Sequence, residues 1–145
     1  MLSLIQRVTE ARVEVDGATV GAIGPGLLAL VGVEPGDGAA EVERMAARLF
    51  GYRVFADDQG RMNRSLVDHG GGLLLVSQFT LAADTRSGMR PGFSTAAAPD
   101  EAERVFQALV DCCRGRQPGV ETGRFGAHMV LSLVNDGPVT FLLRA

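Results

Sequence analysis

Glycine-marked turns divide most of this chain into short apolar runs, and their spacing limits the folds that the sequence can adopt. Asp16-Gly17 and the glycines of residues 24–26 follow strand-like segments, because glycine tolerates the positive φ that tight turns require. Alternating polar and apolar residues between such turns are typical of strands. The pattern predicts about seven strands among eight candidate segments: residues 2–15, 18–23, 27–33, 52–55, 70–81, 120–125, 129–134 and 139–144.

Two other segments have the period of a helix. Apolar residues of Ala39–Phe50 recur at the i, i+3, i+4, i+7 spacing of one helical face, and a second such segment begins at Pro99. The chain has 145 residues, and we find no internal repeat and no linker in it. We therefore predict one α+β domain over residues 1–145, with a mixed or antiparallel sheet that curls into a barrel-like core and two helices.

The charged residues exclude several kinds of chemistry. All 14 basic residues are arginine, so a Schiff-base lysine and the lysine of a phosphate-binding loop are both absent. The net charge of −3 argues against a protein that coats nucleic acid nonspecifically, and we expect no DNA partner. A local arginine patch that grips one RNA end stays open.

The cysteines and the hydropathy pattern indicate where the protein works. Cys112 and Cys113 are adjacent, cannot join distant segments, and lack the paired spacing of a zinc site. The chain has no 18-residue apolar run, and the first residues carry charges where a signal peptide needs an apolar stretch. We expect a cytoplasmic protein with no membrane association, no metal and no cofactor.

The ordinary acid-base candidates carry little signal. His69 precedes three glycines and His128 lies in a GAHM segment, so neither has a recognisable carboxylate or serine partner, and we interpret both as structural. Asp57 and Asp58 lie in the segment DDQG, whose composition is typical of a turn, where aspartate is favoured for local hydrogen bonds. A catalytic site has to be sought elsewhere in the chain.

The segment SQFTL, residues 77–81, places polar side chains where an apolar strand ends. Ser77, Gln78 and Thr80 precede a long loop at residues 82–94 that has no periodicity, and polar groups at strand ends often line sites. The alternative is a strand end whose hydroxyl groups bond to neighbouring backbone. As a nucleophile, Ser77 or Thr80 needs an adjacent base, and the neighbouring sequence supplies none.

The segment NDGPVT, residues 135–140, lies between two apolar runs. Asp136-Gly137 is a common hairpin signal, but Pro138 gives up a backbone donor and is an unusual residue with which to enter a strand. The sequence therefore predicts either a simple turn or a backbone segment with a special conformation at a site.

SQFTL and NDGPVT together resemble the two signature motifs of the D-aminoacyl-tRNA deacylases, also called D-tyrosyl-tRNA deacylases. Five further segments are similar to that family in the same order over the whole chain: QRV at 6–8, VGVE at 31–34, MNRS at 62–65, MRPGFS at 89–94 and TGRFGAHM at 122–129. The resemblance implies a homodimer that hydrolyses the ester between a D-amino acid and the terminal adenosine of tRNA.

The resemblance also implies roles for single residues. Ser77, Gln78, Phe79 and Thr80 would line the pocket and offer backbone N–H groups to an oxyanion. In the partner's active site, Gly137 and Pro138 would form a cis gate that rejects L-amino acids and admits glycine. Arg7 would brace that gate, and Phe125 would help to hold the adenine. The free 2′-hydroxyl of the RNA would assist catalysis.

Two other interpretations stay open. One is an esterase with Thr80 or Ser77 as a covalent nucleophile, which needs a base that the sequence does not show. The other is a non-catalytic module that binds an RNA end or a small ligand. A deacylation assay separates the second interpretation from an enzyme.

Overall fold

The structure is a computed structural model that describes residues 1–145. It has eight strands and three α-helices. The strands are β1 (Leu2–Val15), β2 (Ala18–Ile23), β3 (Gly26–Gly32), β4 (Phe55–Ala56), β5 (Met62–Arg64), β6 (Gly72–Ser77), β7 (Glu121–Thr122) and β8 (Val130–Arg144). The helices are α1 (Ala39–Gly51), α2 (Leu66–His69) and α3 (Pro99–Arg116), and a 3-10 turn spans Phe79–Ala82.

Six of the strands form one mixed sheet. The order is β2-β1-β3-β6-β7, and β8 pairs with the other edge of β1. The contacts of β1 are antiparallel, whereas β3 and β6 run parallel, as do β6 and β7. A side chain at Gly21 of β2 would collide with the carbonyl of Thr122 in β7, so the two ends of the path lie against each other. The sheet therefore curls into a nearly closed barrel, as the sequence predicted.

The central strands β3 and β6 are apolar on both faces, which explains why they appear in the sequence as continuous apolar runs. Leu27 and Leu73 point to the side that packs with α1 and α3, in a cluster of 25 buried residues. The alternate residues Leu28 and Leu74 pack on the opposite side with Val8 of β1, in a smaller cluster of six. Two buried faces hold these strands rigidly, and the site described below is built on their ends.

Two of the three helices lie where the sequence predicted them, and the third was not predicted. α1 and α3 begin at the predicted residues Ala39 and Pro99. The short helix α2 is additional to the two that periodicity predicted, because a single turn has no period to detect. No helix combines the length and the apolar character that crossing a membrane requires.

The end of the chain corrects the sequence interpretation. Residues 129–134 and 139–144 were predicted as separate strands joined by a turn or by a segment of special conformation, but both belong to β8, which runs antiparallel to β1 along its whole length. The chain does not reverse at NDGPVT. Val8 pairs with Asn135 and Gln6 with Thr140, so residues 136–139 bulge out opposite Arg7 alone.

Candidate active site

The site begins where the parallel strands β3 and β6 end side by side. Val31 and Ser77 are paired in register, and the N–H of Gln78 donates to the carbonyl of Val31 at 2.7 Å. The chain then turns into the 3-10 segment that begins at Phe79. Because parallel strands present their carboxyl ends at one edge, this edge is a usual place for a ligand site. The polar residues of SQFTL therefore lie at the mouth of the sheet.

A cavity of about 260 Å³ opens at this edge, between the strand ends and the first turns of α3. Val31, Val33 and Phe106 form apolar walls, and Ser77 and Gln78 are its only polar lining side chains. Phe125 closes one side, with its ring centroid 6.1 Å from that of Phe106. The cavity therefore suits a flat, mostly apolar group that is oriented by a few polar contacts.

The 3-10 turn leaves hydrogen-bond donors free at the cavity. The backbone N–H groups of Leu81 and Ala83 donate to the carbonyls of Gln78 and Thr80, whereas Phe79 and Thr80 are the first two residues of the turn, whose N–H groups have no acceptor within it. The side-chain amide of Gln78 donates to the hydroxyl of Thr80. Two successive free N–H groups at the start of a turn are suited to hold a developing negative charge.

No ionisable side chain lines the cavity. Its 11 lining residues are all uncharged. His69 lies elsewhere, where its ring stacks on Phe55 with 4.1 Å between centroids, and His128 is not among the lining residues. No three side chains of His, Cys, Asp or Glu are grouped as a metal site requires. The protein thus places no general base of its own beside the polar residues of SQFTL.

Gly137 and Pro138 lie outside this cavity, on the exposed bulge of β8. Their peptide bond is cis, and Gly137 has a φ of 130° that disfavours any side chain there. Arg7 fixes the start of the bulge. Its Nε donates to the carbonyl of Asp136 at 3.1 Å and lies 3.2 Å from the Asp136 carboxylate, while Nη1 donates to the carbonyl of Val54 at 2.7 Å.

Asn135 fixes the base of the same bulge, and the sequence analysis did not single it out. Its Nδ2 donates both to the carbonyl of Arg7 at 3.0 Å and to the carbonyl of Val139 at 3.1 Å. Its Oδ1 accepts a hydrogen bond from the hydroxyl of Thr140 at 3.2 Å. Asn135 therefore bridges the two ends of the bulge, and because Arg7 is 128 positions away in the chain, no local pattern in the sequence marks this role.

The structure thus separates the predicted site residues into two groups. Ser77, Gln78, Phe79 and Phe125 line the cavity, and the hydroxyl of Thr80 accepts from Gln78 beside it. The other group is Arg7, Gly137 and Pro138, which lie together at the bulge of β8.

Comparisons with known proteins identify the family. The family model described as "D-Tyr-tRNA(Tyr) deacylase" matches residues 4–144. The chain belongs to the D-Tyr-tRNA(Tyr) deacylase family. Both groups of site residues lie within the range matched to it.

The relatives agree over full length. D-aminoacyl-tRNA deacylases of Stenotrophomonas maltophilia and of Xanthomonas campestris pv. campestris are 74% and 72% identical, each over 99% of this chain and 99% of the relative. A solved structure named "c-Myc DNA Unwinding Element Binding Protein" is 36% identical and superimposes with a TM-score of 0.96, covering 100% of this chain and 99% of that one. The fold of that structure thus extends over the whole of this chain.

Proposed function

We propose that this protein is a cytoplasmic D-aminoacyl-tRNA deacylase, which hydrolyses the ester between a D-amino acid and the terminal adenosine of tRNA. The observation that carries the proposal is the uncharged cavity at the ends of β3 and β6, where Ser77 and Gln78 line the wall and lead into a 3-10 turn whose first two N–H groups have no acceptor within it. An apolar cavity with an aromatic wall at Phe125 suits an adenine ring. The full-length match to curated deacylases supports the same reaction.

The test is a time course of D-tyrosyl-tRNA and L-tyrosyl-tRNA hydrolysis with equal amounts of enzyme. We expect rapid release of the D-amino acid and survival of the L ester. A relative whose name refers to DNA binding makes a non-catalytic nucleic-acid module the second candidate. Binding of tRNA without any hydrolysis of the D ester would favour that candidate and contradict the proposal.

For the chemical step we propose that the substrate supplies the missing base through its terminal 2′-hydroxyl. No ionisable side chain lines the cavity, and Thr80 has only the amide of Gln78 as a side-chain partner. The protein then contributes orientation and the N–H groups of Phe79 and Thr80, effects that are worth about 3 kcal/mol for a single oxyanion donor.

This step is tested by removing the hydroxyl of Thr80 and the terminal 2′-hydroxyl of the substrate in turn. Thr80→Val should keep substantial activity, whereas a substrate with a 2′-deoxy terminal adenosine should be nearly inert. The unmodified substrate and the wild-type enzyme are the matched controls. A trapped acyl-enzyme on Thr80, with loss of turnover in a folded Thr80→Val variant, would establish a protein nucleophile instead.

We propose that the active form is a homodimer and that Gly137 and Pro138 work in the partner's cavity. Arg7, which lies beside them, pairs with Leu27 of β3. Leu27 comes four residues before Val31, which lines the cavity, so the two residues are about 13 Å apart along the strand. A chain's own bulge and cavity are therefore at different levels of the sheet. The outer side of β8 exposes Val130, Val134 and other apolar side chains along a long edge strand, which a second copy would cover.

A subunit-mixing experiment tests the shared site. Gly137→Val alters the bulge and Gln78→Ala alters the cavity, and each variant alone should be inactive. A hybrid dimer carries one intact combination of bulge and cavity, so an equal mixture should recover about a quarter of wild-type activity after exchange. Confirmed exchange without any recovery would refute a site built from two chains.

We further propose that the gate selects by exclusion and passes glycine. The carbonyls of Gly137 and Pro138 would collide with an L side chain, but glycine has no side chain to reject. Glycyl-tRNA should then be hydrolysed at a rate nearer to that of D-tyrosyl-tRNA than to that of L-tyrosyl-tRNA. Glycyl-tRNA that survives as long as the L ester would mean that a D side chain is recognised positively.

A further inference from the structure

An exposed pair of aromatic rings lies at the mouth of the cavity. Phe79 and Phe93 are in contact, with 5.3 Å between ring centroids and 53° between ring planes, yet they are 56% and 47% exposed. Phe79 also lines the cavity itself. The aromatic surface therefore begins inside the site and continues outside it, and a contiguous exposed apolar patch of this kind often marks an interaction site.

The loop that carries Phe93 is held as an arm beside the cavity. Asp84 and Gly92 exchange two backbone hydrogen bonds of 2.8 and 3.0 Å, which close the loop at its base. The hydroxyl of Thr95 donates to the carbonyl of Ala82 and ties the arm to the 3-10 turn. Phe93 thus stands at a fixed place against Phe79 while the tip of the arm extends into solvent.

The tip of the arm is basic in an otherwise acidic protein. Arg86 and Arg90 are both exposed, whereas the whole chain has a net charge of −3. Arg86 contacts only Asp84, through a 3.1 Å ion pair at the surface, and Arg90 forms no salt bridge or hydrogen bond within the chain. Exposed ion pairs are weak, so both guanidinium groups are available to phosphates.

The geometry points to a binding surface for the single-stranded nucleotides that precede the terminal adenosine: their bases stack on Phe79 and Phe93, and Arg86 and Arg90 contact their phosphates. Single-stranded RNA is held in this way, by aromatic side chains that stack on bases and by cations along the backbone. The surface is continuous with the cavity through Phe79, and its charge is opposite to that of RNA. This inference rests on the proposed function, because it extends the substrate from the adenosine toward the rest of the tRNA.

The first test compares two substrates of the same ester. Phe93→Ala should lower kcat/KM for D-tyrosyl-tRNA by about tenfold, the usual loss of one base stack, and leave hydrolysis of the D-tyrosyl ester of adenosine unchanged. Phe93→Trp should restore the rate on tRNA, since it returns an aromatic face. Equal losses on both substrates, or no loss on either, would refute the surface.

The second test uses binding alone, so that it stands even if the enzyme hydrolyses neither ester. The probe is an unacylated RNA hairpin with a single-stranded CCA end. Phe93→Ala should weaken its binding about tenfold, and Arg90→Ala should reduce the slope of log affinity against log salt by about 0.7. Arg61→Ala, an exposed arginine next to the separate two-stranded sheet, is the matched control and should change neither.

Sedimentation of the same variants separates RNA from a competing occupant of the surface. If a second copy of this chain covers Phe93, Phe93→Ala will change the oligomeric state and the affinity for the hairpin will stay as in the wild type. That combination overturns the inference. An unchanged oligomer with weakened hairpin binding supports it, whether or not the ester assays show hydrolysis.

Discussion

Asn135 should control the shape of the bulge that carries Gly137 and Pro138, and Asn135→Asp tests this with almost no change in size. The amide donates to two carbonyls, those of Arg7 and Val139, which belong to opposite ends of the bulge. A carboxylate at the same place has no N–H to donate and brings a negative charge against both carbonyl oxygens. The substitution therefore replaces two hydrogen bonds with electrostatic repulsion between the carboxylate and the two carbonyl oxygens.

The magnitude follows from the two lost hydrogen bonds. Each is worth about 1 kcal/mol net, and carbonyl groups left without a donor in this half-buried position cost roughly 1 kcal/mol more in total. We therefore expect Asn135→Asp to lower the free energy of unfolding by about 3 kcal/mol. For a domain of this size the melting temperature should fall by about 10 °C.

The assay combines thermal unfolding with the ratio of D- to L-tyrosyl-tRNA hydrolysis. If Asn135 positions the gate, that ratio should fall at least about tenfold, because a displacement of about 1 Å at a reacting site can cost that much or more. Thr140→Val is the matched control: it removes the hydroxyl that touches Oδ1 of Asn135 but keeps both donor bonds, so its effect on stability should stay within about 0.5 kcal/mol. A variant Asn135→Asp with wild-type melting temperature and wild-type discrimination would refute this account.

Three further predictions concern stability and reactivity. Burial raises the pKa of the Cys113 thiol to about 12, so thiol reagents at pH 8 should label it only when the protein is unfolded; rapid labelling of native protein, followed by mass spectrometry, would contradict this. Gly26→Ala should prevent stable folding, because its Cβ would collide with the backbone of Gly72 in the paired strand, and a wild-type urea midpoint would refute that reasoning. Ser65→Ala removes the hydroxyl that accepts from the N–H of Asp68 at the start of α2. The free energy of unfolding, measured by urea titration, should fall by about 1 kcal/mol, and an unchanged value would mean that the cap is dispensable.

Most of the elements could be predicted from the sequence, because helix periodicity and apolar runs are visible within short segments of the chain. The helices that begin at Ala39 and Pro99 have long apolar faces, and the buried strands β3 and β6 are continuous apolar runs. The helix α2 has only four residues and escaped detection, although Ser65 followed three residues later by Asp68 is a capping pattern. A period can be detected only in a segment of several turns, so a short helix has to be predicted from its capping residues alone.

The bulge of β8 shows what local patterns cannot predict. Asp136-Gly137 has the composition of a hairpin turn, yet the chain continues in the same direction because both flanking segments pair with β1. That pairing joins residues more than 110 positions apart, and no window of the sequence contains it. The side-chain bridges of Arg7 and Asn135 depend on the same long-range pairing. The cavity was likewise only partly foreseeable, since Phe106 of α3 reaches it through packing.

The uncharged lining of the cavity also determines how the enzyme should respond to acidity. A site with no ionisable side chain has no protonation state of its own, so its shape and its affinity for an uncharged group stay constant wherever the fold is stable. A bell-shaped rate profile, which in many hydrolases reports a catalytic acid and base, would here have to originate outside the cavity lining. The cavity lining itself should contribute no titrating group to such a profile.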